Sequence, residues 1–92
     1  MLSDEQLQAL ILHKLFNRRC WGGKHTSFEN LKKGIKISDL GKEGLKRVDQ
    51  ASKELIRGGL ILTKPTHYGL EVSLNPRMSD EIVLKIKKFF IT

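Results

Sequence analysis

Residues 45–74, LKRVDQASKELIRGGLILTKPTHYGLEVSL, decide the fold, because their hydrophobic period changes once and two glycines mark the change. Leu45, Val48, Ala51, Ser52, Leu55 and Ile56 fall on one side at about 100° per residue, the pattern of a half-buried helix. Gly58-Gly59 supplies the residue type that most readily takes the left-handed conformation in which helices end. Leu60-Ile61-Leu62-Thr63 and Leu70-Glu71-Val72-Ser73-Leu74 then read as strands. Lys64-Pro65-Thr66-His67-Tyr68-Gly69 joins them and is dense in turn formers. The stretch is predicted to be a long helix, starting between Asp39 and Lys42, followed by a hairpin with a polar, basic tip.

Toward the N-terminus, Ser3 and Gln6 have the capping-box form, so a first helix is predicted from about Asp4, with Leu7, Leu10, Ile11 and Leu15 on its buried face. Thr26 and Glu29 repeat the form and predict a short second helix with Phe28 and Leu31 apolar, stopped by Gly34. Ile35-Lys36-Ile37 alternates as a very short strand would, and Ser38-Asp39 offers a turn or cap. Toward the C-terminus, Asn75-Pro76 ends the second hairpin strand, since proline cannot donate to a ladder. Ser79-Asp80-Glu81 then caps a last helix with Ile82, Val83, Ile86, Phe89 and Phe90 apolar. The order is helix, short helix, small strand, long helix, hairpin, helix. It predicts one α+β, mainly α domain over residues 1–92: a winged helix-turn-helix with a three-helix core, a wing of two or three strands and an extra C-terminal helix.

Leu55-Ile56-Arg57-Gly58-Gly59-Leu60-Ile61 resembles the passage from helix end through glycine to apolar strand in winged-helix regulators of archaea and bacteria. The segment Arg18-Arg19-Cys20-Trp21-Gly22-Gly23-Lys24-His25-Thr26, with Lys64-Pro65-Thr66 and Ser73-Leu74-Asn75-Pro76, resembles a group of small archaeal winged-helix proteins. The likeness covers nearly the whole chain. It implies the fold and transfers no activity, because winged helices serve both nucleic-acid binding and protein association.

Ninety-two residues leave room for one modest core. An apolar fraction of 39% argues against disorder, and no apolar run approaches the roughly 18 residues that span a bilayer, so no membrane partner is expected. Met1-Leu2-Ser3-Asp4-Glu5-Gln6 is polar and acidic where an export signal is basic and then apolar. Cys20 is the only cysteine, so no internal disulfide can form. Both features lead to the expectation of a cytoplasmic protein. The net charge of +7 and pI near 9.8 give a positive field suited to a polyanion. Between Lys14 and Lys36 the cations Lys14, Arg18, Arg19, Lys24, Lys32, Lys33 and Lys36 face Glu29 alone.

The helix ending at Gly58-Gly59 carries Lys46, Gln50, Lys53 and Arg57 opposite its apolar side, with Lys42 near its start. Such side chains read base edges in a major groove, and lysines also meet phosphates. Glu43 and Glu54 share the outer side and oppose phosphate, so an ordinary solvated face is the competing account. Lys32 and Lys33 suit phosphate contact and also complement the end of their helix dipole. Lys64, Thr66 and His67 at the hairpin tip suit a phosphate or a minor groove, although polar tips are common to hairpins. Arg18, Arg19 and Lys24 form a compact positive patch for phosphate. Trp21 beside them has two roles open: stacking on a base, or the commoner one of sealing the edge of a core.

His13, Cys20, His25 and His67 lack the paired spacing of a zinc site, so no metal or cofactor is predicted; Cys20 as an oxidant-sensing thiolate is the lesser alternative. No phosphate loop, dinucleotide fingerprint, nucleophile elbow or zinc-protease pair occurs, so catalysis is not expected. The reading that results is a nucleic-acid-binding protein, for double-stranded DNA and plausibly as a transcriptional regulator. Its alternative is an interaction module for an acidic protein partner in a transcription or RNA assembly, favoured by Glu43, Glu54 and the apolar Phe89-Phe90-Ile91. A homodimer through Ile82, Ile86 and Phe89 is also expected, against the option that they pack on the first helix.

Overall fold

At the N-terminus Ser3 Oγ accepts the Gln6 N–H at 3.1 Å and Gln6 Oε1 accepts the Ser3 N–H at 2.9 Å. This closed capping box satisfies two backbone donors and starts α1, Asp4–Asn17. The computed structural model describes residues 2–36 and 40–90. After α1 come β1 (Thr26–Ser27), α2 (Phe28–Lys33), α3 (Gly44–Arg57), β2 (Ile61–Thr66), β3 (Gly69–Leu74), a 3₁₀ turn at Pro76–Met78 and α4 (Ser79–Phe89). The strands form one antiparallel sheet in the order β1-β3-β2. This mainly helical α+β arrangement is consistent with a winged helix.

The first strand lies elsewhere than the alternation at Ile35–Ile37 predicts. Thr26 pairs with Val72 and Ser27 with Glu71, so β1 precedes α2. Ile35 is buried and Lys36 exposed outside any strand, while Ile37 and the turn expected at Ser38-Asp39 lie outside the described residues. The α2 cap is Ser27, one residue later than the expected Thr26: its Oγ accepts the Asn30 N–H at 3.0 Å. Helix α3 starts later than expected, at Gly44. Helix α4 starts without a side-chain cap from Ser79; the 3₁₀ turn leads into it, with Asn75 Oδ1 accepting the Arg77 N–H at 3.1 Å.

In the hairpin, Ile61 faces Leu74 and Thr66 faces Gly69. Thr66 Oγ1 donates to the Gly69 carbonyl at 2.8 Å and accepts the Tyr68 N–H at 3.2 Å, bracing the tip. Gly69 has φ +119°, which a side chain would strain.

Helix α1 is buried over more of its girth than Leu7, Leu10, Ile11 and Leu15 alone imply. Ala9 and Leu12 are buried as well, and Leu10 is only half-buried, because α3 and α4 both pack on α1. Val48, Ala51 and Leu55 of α3, Val72 and Leu74 of β3, and Ile82 and Ile86 of α4 complete the core. Helices α1 and α3 run in the same sense: Asp4 meets Arg47 at 3.1 Å and Gln8 Nε2 donates to Glu54 at 2.7 Å. Helix α4 is fastened by Lys88, 2.6 Å from Glu5, and His13 stacks on Phe90 at 4.7 Å. The Lys88 hydrogen bond and charge hold the Glu5 carboxyl below the usual carboxylate range. Ile82 and Ile86 are therefore buried within one chain, which removes two of the three side chains expected to pair across a dimer; Leu84, 69% exposed, faces outward instead. No helix among the described residues is long and apolar enough to cross a membrane.

Two buried side-chain groups lack a hydrogen-bond partner among the described residues, Arg47 Nη1 and the Ser52 hydroxyl. Ser52 is itself buried in α3. Replacing a dry, unpaired hydroxyl by hydrogen relieves a desolvation penalty of about 1 kcal/mol, so Ser52→Ala is expected to raise the thermal midpoint by several degrees. A lowered midpoint in circular dichroism would contradict this.

Candidate nucleic-acid interface

Helix α3 divides cleanly by exposure. Val48, Ala51, Ser52 and Leu55 face the core, whereas Lys46, Gln50, Lys53 and Arg57 are exposed, with Lys42 exposed just ahead of the helix. Lys42, Lys46, Gln50 and Lys53 line one shallow, open depression of about 620 Å³, which also takes in Glu43 and Asp49. Nothing in the described chain covers it.

One feature of α3 departs from the sequence reading. Leu45, predicted for the buried face, is 52% exposed and lies in the depression. Gly44 in the same turn is buried; Leu45 stands about 60° round the helix from Val48, on the flank it shares with the exposed Asp49. Arg47 is not on the outer face; its Nη2 donates to the Leu2 carbonyl at 2.6 Å and to Asp4, pinning the start of α1. The outer face thus holds Lys42, Lys46, Lys53 and Arg57 against Glu43, Asp49 and Glu54. Two of these acids are turned to neighbours, Asp49 toward Lys32 at 3.9 Å and Glu54 toward Gln8.

The two lysines ending α2 separate in role. Lys32 lies 3.0 Å from Glu29, 3.9 Å from Asp49 and 4.7 Å from the Phe28 ring centre, and its side chain is only 17% exposed. Lys33 is exposed and in no ion pair among the described residues. Lys32→Ala is expected to cost up to about 1 kcal/mol of stability with duplex affinity nearly unchanged, and Lys33→Ala to weaken every duplex with stability unchanged. Equal affinity losses in anisotropy titrations would refute the separation.

At the hairpin, Lys64 and His67 are exposed, while the Thr66 hydroxyl is occupied within the turn. Tyr68 at the tip is fully exposed. The sequence reading passed over it as part of a turn. The available signal was an aromatic among turn formers; the expected connection Lys64–Gly69 shortens to His67-Tyr68, because Lys64, Pro65 and Thr66 pair with Glu71, Leu70 and Gly69 in the ladder.

Arg18, Arg19 and Lys24 are exposed but lie apart from the tip. Their loop is tied to the far end of β3: Leu74 N–H donates to Cys20 O at 2.7 Å and Gly22 N–H donates to Leu74 O at 2.9 Å. Leu74 is about 17 Å along the strand from Gly69 at ~3.4 Å per residue. The candidates thus fall on two regions, one made by α3 and the hairpin and one by the loop after α1. Trp21 is half-buried and meets Phe16 edge-on at 6.1 Å, at the rim of the core. Cys20 is buried and donates to Arg18 O at 3.6 Å. Among the described residues no three or more His, Cys, Asp or Glu side chains gather as metal ligands would. Compared with family models, curated proteins and solved structures, the chain matches none.

Proposed function

We propose that the chain is a winged helix-turn-helix protein that binds double-stranded DNA, with α3 in the major groove and the β2–β3 hairpin as the wing, in the manner of a transcriptional regulator. One observation carries the reading: the hydrophilic flank of α3 is exposed and unobstructed while its apolar flank is buried in the core. In this reading Gln50 and Lys46 address base edges, Lys42, Lys53 and Arg57 address both edges and phosphates, and Lys33 holds backbone. Lys64, His67 and Tyr68 approach the neighbouring groove from the braced tip. Leu45, apolar and outward, is suited to a thymine methyl.

Binding of this kind releases counterions. With roughly four to six phosphates neutralised, the logarithm of affinity is expected to fall against the logarithm of salt with a slope of about −4 to −5. Anisotropy titration of a labelled duplex over a salt series measures it. A slope near zero would remove the DNA reading and favour the second one, a protein-interaction module. That second reading draws on the near balance of the α3 face, four cations to three carboxylates, and on the outward Leu84 of α4.

A further inference from the structure

Of the seven cations between Lys14 and Lys36, only Lys32 is in an ion pair among the described residues. Several of the others meet where α1 and α2 both end. A methyl group on Gly34 would lie 3.3 Å from Arg18 Nη2 and 3.9 Å from Lys14 Cδ. Lys14, Gly34 and Lys36 also line one open groove of about 230 Å³, floored by Leu10, Ile35 and Leu40. Lys33, next to Gly34 in the chain, is exposed.

Helix capping accounts for part of this charge. Two helix C-termini together carry about one negative charge, which Lys14, Arg18 and Lys36 exceed by about two. The excess leaves a positive surface with the chemistry of a phosphate-backbone seat. It shares no lining residue with the α3 depression. The last turn of α2 stands between the two: Lys32 turns to Asp49 on the α3 side, and Gly34 backs Lys14 and Arg18 on the other.

We propose that this surface seats the backbone of a second duplex, so that one molecule holds two DNA segments, one on α3, Lys33 and the hairpin and the other on Lys14, Arg18 and Lys36. The inference rests on the DNA-binding reading above. Recognition at the second seat is by charge and is indifferent to sequence, because lysines and an arginine between helix ends meet phosphates rather than base edges.

The test uses the intact chain in two measurements. Anisotropy of one short labelled duplex reports binding to a single segment; capture of a labelled duplex by an unlabelled one tethered to beads reports bridging. The wild-type chain is expected to bridge. Lys14→Gln/Arg18→Gln/Lys36→Gln is expected to lose bridging by about tenfold or more, with single-duplex affinity lowered by no more than about threefold. Arg18 also donates to Asn30 O at 3.4 Å, so Lys14→Gln/Lys36→Gln, which leaves that bond intact, guards against a folding defect and should show the same direction. Absence of bridging by a wild-type chain that binds one duplex would overturn the proposal. Undiminished bridging by the triple variant would overturn it too, since a dimer would then supply the second site. Equal losses in both measurements would do the same, because the surface would then wrap the first duplex. A wild-type chain that binds no duplex at all fails in the first measurement, which counts against the DNA reading itself.

Discussion

Leu12→Ala is expected to lower the unfolding free energy by about 3 to 4 kcal/mol, within the usual range for buried leucine truncations. Leu12 is fully buried in α1, the helix on which α3 and α4 both pack. The side-chain carbons removed would leave a cavity in the helix against which both of these elements pack. For a domain whose whole stability is about 5 to 15 kcal/mol, the loss is severe and corresponds to a midpoint lowered by about 12 °C or more. Urea unfolding followed by circular dichroism measures it. A loss below about 1 kcal/mol would mean that α1 is not the centre of the core.

Removing the outward charge of α3 is expected to have the largest effect on binding. Replacing Lys42, Lys46, Lys53 and Arg57 together by Gln deletes four exposed cations without touching the buried flank. If each neutralises one phosphate, the salt slope becomes shallower by about 3.6 and duplex affinity at 0.1 M salt falls on the order of 10³-fold. Stability should change little, because none of the four is in an ion pair among the described residues. An unchanged slope would locate the interface elsewhere. A similar affinity loss from Arg47→Gln alone would instead report damage to the fold, since Arg47 anchors the start of α1.

Elements with a strong local signal were legible in the sequence. The Ser3–Gln6 box is present as read, and so is a strand from Leu70 to Leu74, but its burial does not alternate: Leu70 is exposed and Ser73 fully buried, its Oγ donating to the Gly22 carbonyl at 2.8 Å. β1 was not legible, because two residues carry no period and their place is set by pairing with Val72 and Glu71, more than forty positions away. Ile35-Lys36-Ile37 showed a period and has no strand at Ile35 or Lys36; the alternation of two isoleucines reflects at least the burial of Ile35. Leu45 was misread for a related reason. It stands about 60° round the helix from Val48, at the edge of the apolar stripe, where period alone does not decide which flank the neighbouring elements cover. For the candidate site, the outward positions Lys46, Gln50, Lys53 and Arg57 followed from periodicity alone. The withdrawal of Lys32 into ion pairs did not, since one of its carboxylates, Asp49, comes from another element.

The single thiol of the chain has a practical consequence. Cys20 is only 4% exposed, held in a segment whose backbone is bonded to Leu74. An alkylating reagent can reach it only when that segment parts from the sheet, so its labelling rate clocks local opening. With no other thiol to compete for reagent, mass spectrometry of the intact chain over a labelling course would read that clock directly, without an introduced probe.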